Sequence, residues 1–261
     1  LDTVNKKIEV YQLEQPSFNT PIKTNVLKFA QVVDQQCESL NNYINEQYLC
    51  VQENGIKVLS TDGKVVGDFA TEVKDPVSLH VGREMIAVLE KKKVHGYSLS
   101  GKKLYSVGRY GSAPGAFDGA KYVYSAHNQI YVGDVGNNRI QIFAADGQFV
   151  TQIKAAKNTF DTVGPMAVDS QQNLYIADPG SKGLIRVLNK YSEQYADIGY
   201  LQDSSHQAKK IHSLDLDRQD RLYALVSSDV NKYSVRMFDA FNQIEEFGAG
   251  SENETPVFFE Q

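Results

Sequence analysis

Six short segments of alternating branched or aromatic residues recur along the 261-residue chain and predict an all-β fold, a six-bladed β-propeller of four-stranded antiparallel blades. The segments are IEVY from Ile8, IKVL from Ile56, VHGY from Val94, IQIF from Ile140, IRVL from Ile185 and VRMF from Val235. Their starts are 38 to 50 residues apart, the interval of one propeller blade. In five copies a second strand of the same kind begins 8 to 13 residues earlier, at Tyr48, Met85, Ile130, Leu174 and Leu222. Asp62-Gly63, Ser100-Gly101 and Asp146-Gly147 follow three of the segments and read as tight hairpin turns, because such pairs supply the positive φ a short connection needs.

The remaining strands follow in order. KVVGDF, KKLYSV and QFVTQI come after those three turns and supply a fourth strand. An apolar run near Pro76, Ala120, Pro165, Ser213 and Pro256 then leads into the next copy as its first, innermost strand. A blade of this kind cannot bury both faces alone, whereas blades packed radially can. No stretch sustains the i, i+3, i+4, i+7 apolar pattern of a helix over three turns. At the ends, Asp2 aligns with Asp134, and TPVFFEQ (Thr255 to Gln261) reads as an inner strand with no partner after it. Joining the two would build the closing blade from both termini. The residues between them are too few, which predicts an incomplete closing blade or an excerpt of a longer polypeptide, with residues 1–261 forming a single propeller domain.

Composition narrows the class further. Apolar residues make up 41% and charged residues 23%, an ordinary globular balance. No apolar run approaches the roughly 18 residues of a membrane span. Lys+Arg 27 against Asp+Glu 32 gives a net charge of −5, which argues against a dedicated nucleic-acid binder. Cys37 and Cys50 are too few for a disulfide framework or a four-thiolate zinc site. They read as two buried thiols, with a single bridge across their 13-residue separation as the alternative.

IYVGDVGNNRIQIFAADGQFV (Ile130 to Val150) resembles the NHL repeat: a strand ends in Asp, a turn rich in Gly and Asn follows, and Arg opens the next strand before an Asp-Gly turn. VGRYGSAPGAFDGAKYVYSA (Val107 to Ala126) is similar to that family's glycine-spaced connection between blades, and LYIADPGSKGLIRVL (Leu174 to Leu188) is a second good copy. LDTVNKKIEVY matches from Asp2 onward, Tyr48 to Phe69 is a poorer copy, and Met85 to Val107 has Glu90-Lys91-Lys92-Lys93 in place of the acidic turn. WD-repeat and quinoprotein-type blades require Trp, and the chain has none; kelch blades need paired glycines. The resemblance implies a propeller that works through its surface. Two other readings stand beside it: six-bladed propellers include metal-dependent enzymes of the lactonase or lyase type, and the resemblance to NHL propellers implies single-stranded RNA binding as a further alternative.

A metal in the central tunnel would need His, Asp or Glu from several inner strands to converge. Inner-strand ends align His80, Ser125, Asp169, Asp217 and Glu260, with Asp34 or Tyr43 in the first full repeat, and make Asp169 and Asp217 the candidate ligands. Asp at such positions also serves hairpin turns. The five histidines fall in different registers and form no zinc triad. SLDLDRQDRLY lacks the Gly and terminal Glu of a calcium loop, GYSLSG is too long for a nucleophile elbow, and DVGNNR precedes no helix that could cradle phosphate. The lone sequon Asn253-Glu254-Thr255 carries no argument.

What remains is surface. In a four-stranded blade the turn from strand two to three and the connection from strand four to the next blade share one face. That face collects the long loops Gly108 to Gly119, Ala155 to Val163 and Leu201 to Lys210, and the shorter turns Glu90 to Lys93 and Ser227 to Lys232. Rigid scaffolds carry function in such loops. Arg109, Tyr110, Phe160 and Tyr200 are the expected anchors, since Arg and aromatics dominate interface energetics, with packing between blades as the alternative for the aromatics and for Phe160 above all. Lys91, Lys92 and Lys93, with Lys209 and Lys210, form a basic sector, set against the acidic Glu84, Glu90, Asp203 and Asp229. The expected function is a non-enzymatic protein-interaction scaffold without a cofactor, binding a protein partner or other subunits of an assembly. Its expected location is outside the cytoplasm.

Overall fold

A computed structural model of the chain describes residues 8–14, 26–33, 37–181, 184–198, 210–229, 232–239 and 242–248. Strands β1 (Ile8–Glu14) and β2 (Val26–Val33) form an antiparallel pair. Five four-stranded antiparallel sheets follow. Blade one holds β3 (Ser39–Asn42), β4 (Tyr48–Gln52), β5 (Gly55–Leu59) and β6 (Val65–Phe69). Blade two holds β7 (Pro76–Val81), β8 (Met85–Glu90), β9 (Lys93–Ser98) and β10 (Lys103–Val107). Blade three holds β11 (Ala120–Ala126), β12 (Gln129–Asp134), β13 (Arg139–Ala144) and β14 (Phe149–Lys154). Blade four holds β15 (Met166–Val168), β16 (Leu174–Asp178), β17 (Leu184–Leu188) and β18 (Gln194–Ile198). Blade five holds β19 (Lys210–Leu216), β20 (Leu222–Asp229), β21 (Lys232–Asp239) and β22 (Asn242–Gly248).

Among the described residues the four-stranded blades therefore number five, not the six that the repeats predict. IEVY does form a strand, β1, but among the described residues its sheet stops at two strands. The repeat count registered a strand, and a strand alone does not make a blade. The expected closing strand at Thr255 to Gln261, and Asp2 opposite it, lie outside the described residues. So do Asp34, Glu260 and the sequon.

Burial explains why the second strand of each blade is so apolar. The inner strands of consecutive blades, β3, β7, β11, β15 and β19, pack side by side in sequence order. On β8, Ile86 and Val88 face a core shared with Leu49, Val51 and Ile56 of blade one. Met85, Ala87 and Leu89 point the other way, into a core with Val123, Ile130, Val132 and Phe143 of blade three. Side chains alternate across a strand, so a strand sandwiched between two neighbours must be apolar on both faces. Each large side chain so buried contributes roughly 1.5–3 kcal/mol. Burial fades outward: on β6, Val65 and Val66 are exposed, as are Phe149 and Val150 on β14.

The turns between strands three and four have the predicted form. Gly63, Gly101 and Gly147 have φ of 79°, 82° and 86°, and each closes a turn followed by a bulge. A fourth copy uses Ser192 at φ 64°, where no Asp-Gly pair signals it. Between blades two and three the approach is close: a Cβ on Gly82 would lie 2.4 Å from the Ser125 carbonyl oxygen.

Cys37 and Cys50 are bonded, with Cα atoms 5.3 Å apart. This resolves the open alternative in favour of the bridge. Antiparallel pairing of Leu40 with Cys50 brings the thiols together, which spacing alone does not reveal. Both sit in a small core with Leu59. The bridge closes a short loop inside blade one, so C37A/C50A should lose about 3 kcal/mol in urea unfolding. Wild type under reducing conditions should show the same loss. Unchanged stability, or two titratable thiols in the unreduced chain, would count against it.

Candidate functional site

The face of long loops is built on one recurring device. Strand pairing makes Glu90, Asp134 and Asp178 equivalent, each at the end of a second strand. Asp134 is fully buried, and its Oδ1 accepts the N–H of Asp118, in the connection arriving from blade two, at 2.7 Å. Its Oδ2 accepts from Asn137 Nδ2 at 2.9 Å, Arg139 Nε at 2.8 Å and Gln141 Nε2 at 3.2 Å. Arg139 then donates to the carbonyls of Ala113 and Ala116, and Gln141 donates to Ala116 and accepts from Gly115. The connection 108–119 is thus held through its middle and at its C-terminal end. A buried carboxylate keeps its charge only when its lone pairs are filled in this way.

The same device recurs with different partners. Asp178 accepts the N–H groups of Asp161 at 2.7 Å and Thr162 at 3.0 Å, from the connection ahead of blade four, and lies 3.5 Å from Arg186 Nε. Glu90 accepts the N–H of Lys74 at 3.2 Å and contacts His95 Nε2 at 3.2 Å. Blade two, which lacks the acidic turn by motif, therefore supplies its carboxylate through Glu90. Sequence reading missed this set as a unit. Its signal was available: Asp134, Arg139 and Gln141 are polar at positions where a sandwiched strand is otherwise apolar.

The clamped loop presents the predicted anchors. Gly108 passes the turn after β8 so closely that a Cβ would sit 2.6 Å from the Lys92 carbonyl oxygen. This brings Arg109 and Tyr110 beside Lys91, Lys92 and Lys93, all five exposed. Tyr110 is 66% exposed, and Lys92 Nζ lies 5.8 Å from its ring centroid. The Arg109 carbonyl accepts the N–H of Phe117 at 2.8 Å, and the Phe117 side chain is buried beneath. Phe160 is not a surface anchor. It is 1% exposed and belongs to the core of blades three to five, because the hydrogen bonds that Asp178 takes from Asp161 and Thr162 turn the preceding residue inward. Tyr200, Asp203 and Lys209 lie outside the described residues, and Lys210 is exposed at the start of β19.

On the opposite face Asp169 and Asp217 take the hairpin-turn role rather than the metal-ligand alternative. They occupy equivalent turns between strands one and two. Asp169 accepts from the N–H groups of Gln171 and Asn173, from Asn173 Nδ2 and from the Tyr175 hydroxyl. Asp217 accepts from the N–H groups of Gln219 and Arg221, from Arg221 Nε and from the Tyr223 hydroxyl. Both carboxylates are filled by their own turns, and no cluster of three His, Cys, Asp or Glu occurs among the described residues. His80 and Ser125 do not join them: the Ser125 N–H donates to His80 Nδ1 at 3.0 Å. His80 stacks on Tyr124 with ring centroids 3.7 Å apart, and its Nε2 lies 4.0 Å from Asp215 Oδ1. Inner strands of blades two, three and five therefore meet through these side chains.

Two outcomes follow from these carboxylates. D134A leaves the buried Arg139 guanidinium without its carboxylate partner, so it should cost about 3–5 kcal/mol and raise amide exchange through residues 108–119. Exchange confined to other blades would contradict the clamp. At Asp217, burial alone would raise the pKa, but the Arg221 N–H and guanidinium and the Gln219 N–H outweigh it and hold it below the usual carboxylate value. Its stabilising contribution is complete above the ordinary carboxylate range and is lost as pH falls through the depressed value. Carboxyl NMR titration should show R221A moving it back up.

No protein-family model matches the chain, and no curated protein matches it in sequence. Solved structures do match. A chain of the nidogen/laminin complex is 12% identical with a TM-score of 0.64, covering 92% of this chain and 89% of that one. A streptogramin B lyase is 16% identical with a TM-score of 0.58, covering 82% and 69%. A virginiamycin B lyase from Staphylococcus aureus is 14% identical with a TM-score of 0.57, covering 82% and 70%. At such identities the likeness speaks for fold alone, and together with the radial order of the sheets it makes this chain a β-propeller of four-stranded antiparallel blades.

Proposed function

We propose that the chain is a non-enzymatic protein-interaction propeller of the NHL type, serving as a scaffold within a larger protein or assembly. The observation that carries this reading is the loop 108–119, pinned by Asp134, Arg139 and Gln141 while it leaves Tyr110 66% exposed beside Arg109. A loop ordered in advance loses little conformational entropy when a partner docks. The NHL assignment draws support from Asp134, Arg139 and Asp178, which are motif positions of the resemblance and which act here as clamps between blades. The similar chain from the nidogen/laminin complex belongs to a protein–protein assembly, in keeping with this reading. The Cys37–Cys50 bridge supports a working place in an oxidising compartment outside the cytoplasm. Among the described residues no helix is long and apolar enough to cross a membrane.

The test is comparative capture. Immobilised wild type and R109A/Y110A are exposed to extract from the source organism and bound proteins are quantified by mass spectrometry. A partner retained by wild type should fall about tenfold on the variant, with the melting temperature unchanged. Equal retention would overturn the docking face. Stoichiometric divalent metal that is lost in D169N or D217N would overturn the non-enzymatic reading.

A further inference from the structure

Resting on that docking face, we propose that the patch formed by Lys91, Lys92, Lys93, Arg109 and Tyr110 receives an acidic, extended segment of the partner protein. The chain carries a net charge of −5, so four exposed cations gathered from one turn and one loop are a local reversal of sign. Among the described residues none of the four has a carboxylate within ion-pair distance. The carboxylate next to them in sequence is turned away: Glu90 is taken by the Lys74 N–H and by His95 beneath the turn. Glu72 is held by the Tyr97 hydroxyl at 2.6 Å and by Lys103 at 3.4 Å. Lys74 and Asp75 on the adjoining loop add one charge of each sign, and Glu84 lies beyond the other end of β8. Like charges held together on a rigid surface repel, and an incoming acidic chain relieves that repulsion.

The aromatic inventory selects a peptide over a nucleic acid. Single strands are gripped by a run of exposed rings on which successive bases stack, along a groove that is positive throughout. Here Tyr110 is the one exposed ring of the described connections 108–119 and 155–165, since Phe117 and Phe160 are buried. One ring flanked by cations suits a single apolar side chain set among Asp and Glu. Surface ion pairs are individually weak and screened by salt, so the binding should be multivalent and salt-sensitive.

The experiment is fluorescence polarisation on the whole chain with three labelled probes: a short Asp/Glu-rich peptide with a central Phe, its Asn/Gln counterpart, and an oligouridylate of equal length. The acidic peptide should bind and the other two should not. K91E/K92E/K93E should weaken binding at least about tenfold, Y110A by about fivefold, and physiological salt relative to low salt by a similar factor. K102E, on the opposite face, should leave it unchanged. The neutral variant K91Q/K92Q/K93Q, checked by its melting temperature, separates loss of attraction from loss of fold. Binding of the acidic peptide no tighter than its neutral counterpart, tighter binding of the oligouridylate, or equal weakening by K102E would overturn the proposal. If the acidic probe fails while R109A/Y110A still abolishes partner capture, the docking face stands and only its partner chemistry falls.

Discussion

A carboxylate placed where a strand ends, and buried there, must find donors or the chain does not fold. In this molecule those donors come from the connection that arrives from the preceding blade. Asp134 takes Asp118, Asp178 takes Asp161 and Thr162, and Glu90 takes Lys74. One requirement therefore does two jobs. It fixes the hairpin between strands two and three, and it sews blades two, three and four each to the preceding blade along the face that carries the long loops. At the equivalent position of blade five stands Val226, which has no such acceptor.

Packing supplies the rest of the cohesion. Because β8 and β12 bury alternate residues against different neighbours, no hydrophobic core among the described residues belongs to one blade alone except the small one around the disulfide. Stability is shared between neighbours, as in other repeat architectures. The opposite face obeys a different rule: Asp169 and Asp217 complete their own hairpins and spend every lone pair locally. Two aspartates at matching positions thus look alike in an alignment of repeats and still differ from Asp134 in what they fasten.

Much of this was legible in the residues. The second and third strands of every blade, and three of the turns after them, follow from alternation and from Asp-Gly or Ser-Gly pairs, because both signals are local. The number of blades was not, since IEVY marks a strand without saying how many partners it has. The disulfide was not, because strand register, rather than sequence distance, sets the separation of Cys37 and Cys50. Arg109, Tyr110 and the three lysines were legible as loop residues, and the structure assembles them into one patch. Phe160 belongs to a loop of the same kind but is drawn under by hydrogen bonds to Asp178, a residue 18 positions later. Long-range clamps of this sort reverse the exposure that loop membership suggests.

The bridge in blade one has a use of its own. Cys50 is wholly buried and Cys37 nearly so, in a small core with Leu59 inside blade one. A dissolved thiol reaches those sulfurs only during moments when the strands part. The speed at which a mild reductant cuts the bond is therefore a clock for how often that part of the ring breathes, read without any label attached to the chain.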